Sequence, residues 1–161
     1  MCPHTETPEL TEIARKLVKK GLTIAVAESC TGGLLSSVLT NVPESSTWFK
    51  GGVVAYTNEV KKRILGVKAG TLKKYGAVSE ETALELAKGV REKLKTDIGI
   101  SVTGLAGPGG GTKKTPVGTI FIGVDDGKET LVKRLNLKGS RVKIKKKAVQ
   151  AALRFLKGLL R

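Results

Sequence analysis

The segment Ala27-Glu28-Ser29-Cys30-Thr31-Gly32-Gly33 joins the end of an apolar run to a hydroxyl, a thiol and two glycines. A turn of this composition can hold one nucleophile against several backbone amides. Thr23-Ile24-Ala25-Val26 reads as a buried strand, and Leu34, Leu35, Val38 and Leu39 recur at helical spacing, so the polar residues fall on a strand-to-helix corner. Unpaired amides at that helix start would favour negative charge. The alternative is a capping turn in which Ser29 or Thr31 satisfies the helix and the glycines permit the bend. Cys30 competes as nucleophile because a thiol is intrinsically more reactive. Adjacent side chains at a strand end point to opposite sides, so Cys30 is expected to be buried as a small apolar residue beneath the turn.

Two further segments end in polar residues. Gly51-Gly52-Val53-Val54-Ala55-Tyr56 reads as a strand, passing through Asn58, the expected N-cap, into a short helix that carries Lys61 in its first turn. The positive end of the helix dipole and partial burial both disfavour an ammonium there, leaving a neutral amine able to take a proton from a serine. The alternative is a surface lysine beside Lys62 and Arg63. Ile98 to Thr103 reads as a third strand, followed by the glycine-rich loop Gly104-Leu105-Ala106-Gly107-Pro108-Gly109-Gly110-Gly111. That loop lacks the Gly-Lys-Ser/Thr ending of a phosphate-binding P-loop and does not open a helix as GxGxxG, which disfavours a nucleotide triphosphate motor. A flexible hairpin connection is its structural alternative.

Three strands ending in this way point to one site at a sheet edge, where open α/β folds bind ligands. Ser29 is then the nucleophile, Lys61 the base and Tyr56 an orienting or proton-relaying hydroxyl. Amides around Thr31, Gly32 and Gly33 would form an oxyanion hole, a set suited to acyl transfer or amide hydrolysis. The one histidine, His4, stands in a terminal segment of low hydrophobicity, so a Ser-His-Asp triad is disfavoured.

AESCTGG at 27–33, WFKGGVVAYTNEVK at 48–61, GAVSEET at 76–82 and SVTGLAGPGGGTKKTPVGT at 101–119 together resemble the CinA C-terminal domain family. That family includes stand-alone nicotinamide-nucleotide amidases. The resemblance spans nearly the whole chain and implies hydrolysis of the carboxamide of nicotinamide mononucleotide to nicotinic acid mononucleotide and ammonia. It implies catalytic roles for Ser29, Tyr56 and Lys61, substrate contacts at Thr31, Gly32, Gly33, Ser46, Thr103 and Arg141, no metal or other cofactor, and a homodimer. It also implies a chain without the nucleotide-processing N-terminal domain of longer members. Arg141 falls in a short Gly-x-Arg element, where a guanidinium can grip a phosphate bidentately. Gly109 stands where the family commonly has an acidic residue after the proline, and Lys113 and Lys114 occupy positions often acidic.

The elements needed to position these groups fit one α/β domain over residues 8–161, after an N-terminal tail of residues 1–7. Helices are expected near 8–20, with Leu10, Ile13, Ala14, Leu17 and Val18 on one face, and near 79–95, with Ala83, Leu86, Ala87, Val90 and Leu94. A last helix near 141–160 carries Val149, Ala152, Leu153, Leu156 and Leu160. Strands near 23–28, 51–56, 98–103, 117–124 and 129–137, the last two joined across Asp125-Asp126-Gly127, complete a three-layer α/β/α sandwich with a mixed sheet. No apolar run is long enough to cross a membrane and no signal peptide pattern is present. Two cysteines without metal-ligand spacing fit a reducing, cytoplasmic compartment.

The net charge of +15 supports a rival reading, a basic nucleic-acid-binding module, with Lys143, Lys145, Lys146 and Lys147 as the densest run. Aromatic residues make up 4% of the chain and no nucleic-acid motif is present, so stacking platforms are scarce and the charge reads instead as a lysine-rich solvated surface. An inactive assembly module on the same fold is the third reading.

Overall fold

Alternation along the first strand sets the architecture. In the computed structural model, which describes residues 7–160, β1 (Ile24–Glu28) is buried on both faces. Ile24 and Val26 enter one apolar cluster, and Ala25 and Ala27 enter another. A strand with two buried faces needs helices on both sides. The first cluster is closed by α1 (Pro8–Lys20), α2 (Leu34–Leu39) and α6 (Arg141–Leu159), and the second by α3 (Asn58–Leu65), α4 (Ala69–Tyr75) and α5 (Glu80–Leu94). The result is a three-layer α/β/α sandwich.

The five strands run in the order β2 (Phe49–Val54), β1, β3 (Ile98–Gly104), β4 (Thr119–Asp125), β5 (Thr130–Asn136). Strand β1 lies parallel to both β2 and β3, whereas β4 and β5 are antiparallel additions, so the sheet is mixed. From β1 the chain reaches one neighbour on one side and later the other neighbour on the opposite side. The crevice beyond the carboxyl end of β1 is therefore a topological switch point, the place where such sheets bind ligands.

The α5 face of the sheet is lined by small residues, and the packing requires them. A Cβ on Gly99 would collide with the Ala87 carbonyl, one on Gly123 would lie 2.7 Å from the Ala83 carbonyl oxygen, and Ser101 Oγ donates to that same carbonyl at 2.7 Å. Helix α5 is thus seated close against the strands that carry the site.

Local chemistry fixes the helix ends. Thr7, Thr57, Ser79 and Ser140 each accept an amide hydrogen bond at a helix start, and Gly21 and Gly66 close α1 and α3 in the left-handed conformation. Thr57, rather than the expected Asn58, caps α3. Strand β2 occupies 49–54 instead of 51–56, which leaves Tyr56 beyond the strand. Val18, expected in the core, is 59% exposed on α1. His4 and Cys2, one of the two cysteines, fall in the expected N-terminal tail, outside the described residues. No helix among the described residues is long and apolar enough to cross a membrane.

Candidate active site

Ser29 follows the last residue of β1, and its amide is held by the Val102 carbonyl of β3 at 2.9 Å. By strand alternation its side chain turns toward the α3–α5 side, as Ala25 and Ala27 do. Lys61 arrives from that side as the fourth residue of α3. Helical side chains lean toward the N-terminus, so Lys61 runs back to the end of β2. Its Nζ stands 3.1 Å from Ser29 Oγ, 2.7 Å from the Ala55 carbonyl oxygen and 3.2 Å from the Tyr56 carbonyl oxygen. The residue is 1% exposed and no carboxylate lies within ion-pair distance among the described residues.

This geometry suits a base. A neutral amine has two N–H groups for the two carbonyls and one lone pair for the serine hydroxyl. Burial pushes Lys61 below the ordinary lysine range, against a smaller opposing pull from Cys30. Cys30 itself turns to the other face, is 6% exposed within the α1–α2–α6 cluster, and has its thiol pushed up to about 11, chiefly by burial. At neutral pH the thiol stays protonated and is a poor nucleophile.

The start of α2 departs from the expected open anion site. Its amides are occupied by a side chain of the same motif: Glu28, fully buried, accepts from the amides of Gly33, Leu35 and Ser36 at 3.1, 2.9 and 2.7 Å and from Ser36 Oγ at 2.7 Å. Neither Ser29 nor Thr31 caps the helix. The Gly32 amide is also taken, by the Ser29 carbonyl at 3.1 Å. Of the amides expected to form an oxyanion hole, those of Gly32 and Gly33 are therefore engaged, while that of Thr31 hydrogen-bonds to no other residue among the described residues; neither does the Cys30 amide, which was not part of that expectation. Gly32 and Gly33 shape the turn through φ angles of 59° and 97°. Thr31 is fully buried, and its hydroxyl has no partner among the described residues.

A cleft of about 210 Å³ opens over this pair, with Ser29, Tyr56, Lys61, Thr103 and Arg141 in its polar lining and Val78 and Leu105 among its apolar walls. Pockets for drug-sized ligands span roughly 300–1,000 Å³, so this one seats a single ring and leaves the rest of a larger ligand over the rim. Thr103 is buried and its hydroxyl donates to the Ala77 carbonyl at 2.7 Å, tying β3 to the segment before α5. The Tyr56 side chain is exposed, and its hydroxyl accepts from Arg141 Nη2 at 2.9 Å. Arg141 Nη1 donates to the Gly107 carbonyl at 2.7 Å, so the first residue of α6 spans from the glycine-rich loop to Tyr56. The phenol makes no hydrogen bond to Ser29 or Lys61 among the described residues. What Tyr56 gives Lys61 is its backbone carbonyl.

Ser46 is not brought to the cleft. It lies in the single 3-10 turn Ser45–Thr47 before β2, at the opposite edge of the sheet, because Phe49 pairs with Ile24 at the start of β1. Two contributors carry no sequence expectation. Glu28 was assigned no role, although a charged residue closing an otherwise apolar strand was the available signal. The Ala55 carbonyl is the nearest partner of Lys61 and has no side-chain signature. No cluster of three metal-ligating side chains occurs among the described residues.

Fold and site together define an α/β protein with a serine–lysine pair at the carboxyl ends of its parallel strands. The chain belongs to the CinA C-terminal domain family, whose model matches residues 7–160. It is 52% identical over 155 residues to a Halothermothrix orenii protein named for competence-damage induction, covering 95% of this chain and 37% of that protein. It is 51% identical over 152 residues to a CinA-like protein of Kosmotoga olearia, covering 94% of this chain and 37% of the relative. The chain thus spans little more than a third of these relatives' length. Among solved structures, it matches a CinA superfamily protein of Klebsiella pneumoniae with a TM-score of 0.92 at 32% identity, covering 99% of this chain and 98% of that one. An Escherichia coli member matches with a TM-score of 0.91 at 30% identity, covering 99% and 92%.

Proposed function

We propose that this chain is a serine amidase that converts nicotinamide mononucleotide to nicotinic acid mononucleotide and ammonia. The observation that carries the reading is the buried Lys61 Nζ 3.1 Å from Ser29 Oγ, with the Ala55 and Tyr56 carbonyls as its other partners; in the neutral amine those carbonyls take the two N–H groups and the lone pair is left for the hydroxyl. Lys61 takes the Ser29 proton as Oγ attacks the carboxamide carbon. The amide of Cys30, a residue that lines the cleft, is the donor left to receive the oxyanion. The Lys61 ammonium returns its proton to the leaving nitrogen, the C–N bond breaks, and ammonia departs from an acyl ester on Ser29. Water then attacks the ester with Lys61 again as base, releasing the carboxylate and restoring the serine. Tyr56 and Arg141 act at the rim, where the exposed guanidinium suits the substrate's phosphate.

The direct test is to incubate the purified chain with nicotinamide mononucleotide and assay ammonia. Stoichiometric ammonia and nicotinic acid mononucleotide are expected. Salt-sensitive binding of single-stranded or duplex nucleic acid with no ammonia release would favour the basic binding module instead.

A further inference from the structure

The motif Gly76-Ala77-Val78-Ser79-Glu80-Glu81-Thr82 is one of the segments that carry the family resemblance, yet no step of the proposed reaction uses it. Residues 76–79 are the whole connection between α4 and α5. Two of them, Ala77 and Val78, line the cleft that holds Ser29 and Lys61.

Connections between elements are ordinarily surface features with freedom to move. This one is pinned by buried hydroxyls from both the helix and the sheet. Thr82 Oγ1, fully buried in the first turn of α5, donates to the Gly76 carbonyl at 2.7 Å. Ser79 Oγ lies 2.9 Å from the same carbonyl oxygen and 3.0 Å from Thr82 Oγ1, and accepts from the Thr82 amide at 3.2 Å. From β3, the buried Thr103 hydroxyl donates to the Ala77 carbonyl at 2.7 Å. Capping of α5 accounts for Ser79 but asks nothing of the Thr82 side chain. A buried hydroxyl is costly unless it is bonded, and this one spends its proton six residues back, on the residue that opens the connection. Val78 stands between Ala77 and Ser79, both of them held, so it faces the cleft from a backbone with little freedom.

We propose that Val78 determines which ring the cleft accepts beside the carboxamide, admitting a single aromatic ring and excluding a fused pair, and that Thr82 is a positioning residue that holds Val78 there through the Gly76 carbonyl. A wall can measure a ring only if it does not yield, and a cleft of about 210 Å³ leaves no slack for a second ring. The inference rests on the amidase reading and specifies the ring that this site discriminates.

The test compares ammonia release from nicotinamide mononucleotide and from the mononucleotide of quinoline-3-carboxamide, which adds a fused ring, by the whole chain and its variants. In Val78→Ala the ratio of kcat/KM for the single-ring over the fused-ring substrate is expected to fall about tenfold, through both KM values. Thr82→Val removes the hydroxyl and keeps the shape, and should lower the same ratio; Thr82→Ser keeps the hydroxyl and should restore it. A merely structural Thr82 would lower the melting temperature, or kcat on both substrates, and leave the ratio alone. An unchanged ratio in Val78→Ala overturns the wall, and an unchanged ratio in folded Thr82→Val overturns the positioning role. Should Thr82→Val fail to fold, Thr82→Ala takes its place with the same two outcomes. Absence of ammonia from both substrates would instead sink the amidase reading. Calorimetric titration with nicotinamide mononucleotide then decides on Val78: weaker binding by Val78→Ala supports the wall, and equal affinity, or no binding by the unaltered chain, removes it.

Discussion

The floor and the rim of the cleft are built on different principles. On the floor, Glu28, Ser29 and Lys61 are all buried, and their polar atoms are fixed by strand ends, helix amides and one another. On the rim, Tyr56 is 57% exposed and is joined to Arg141 by a single hydrogen bond. Arg141 in turn holds a glycine-rich loop through a backbone carbonyl. The floor derives its geometry from parallel strands that cannot shift without disturbing the core. The rim depends on a long loop and on the first residue of α6. On the proposed amidase reading, bond making falls to the buried floor and recognition to the exposed rim, so substitutions should divide into those that stop turnover and those that redirect it.

Breaking the floor should have the largest effect. Ser29→Ala is expected to lower kcat by about 100,000-fold with the circular dichroism spectrum and melting curve retained. Substantial residual turnover would remove the covalent route. Lys61→Arg keeps a cation but supplies no neutral base near pH 7, and a loss of about 1,000-fold is expected in steady-state ammonia release.

The pH profile sharpens the same point. Burial lowers the Lys61 pKa, and the proposed mechanism uses the neutral form, so kcat/KM should rise with pH through a midpoint below 10.5. The unfolded chain binds more protons at this lysine over the window between that lowered value and 10.5, so the group's contribution to stability also rises with pH there. A rate profile flat across that window would exclude Lys61 as the base.

Glu28→Gln tests whether the floor depends on an internal anion. The amide replaces an acceptor oxygen with a donor that faces backbone N–H groups, and a stability loss of about 3 kcal/mol is expected in urea unfolding. Lower kcat with little change in KM should accompany it. The smallest effect belongs to Cys30→Ala, a cavity of one sulfur costing about 1 kcal/mol with kcat within about twofold of the unaltered chain. Full inactivation of a folded Cys30→Ala protein would restore the thiol as nucleophile.

The floor was largely legible in the amino-acid sequence because its signals are local. An apolar run ending in Ser29, a second ending near Lys61 and a third ending at Thr103 have to share an edge once their strands are parallel. The rim and the supports were less so. Tyr56 shifted because β2 ends at Val54, which turns the residue's phenol to Arg141 and its carbonyl to Lys61. Ser46 falls before the amino end of β2, away from the cleft, and a resemblance carries residue identities without saying which end of the sheet they occupy. Helix α4 escaped notice since Ala69-Gly70-Thr71 is weak helical sequence. A distant side chain holds its start: Glu85 on α5 accepts from the Lys68 amide at 2.7 Å and from Thr71 Oγ1 at 2.6 Å. Glu28 carries only the local signal of a charged residue closing an apolar strand, which does not say that six residues of helix will close over it.

One glycine far from the chemistry carries an unexpected burden. A methyl group at Gly52 in β2 would strike Ser36 Oγ and come within 2.8 Å of Val26 Cγ2. Ser36 is one of the donors that hold the Glu28 carboxylate, so Gly52→Ala should loosen the corner of the nucleophile from beneath, with ammonia release failing at temperatures where far-UV dichroism still reports a folded chain. A search for inactivating changes in this protein should therefore expect hits in the outermost strand, among residues that never meet a ligand.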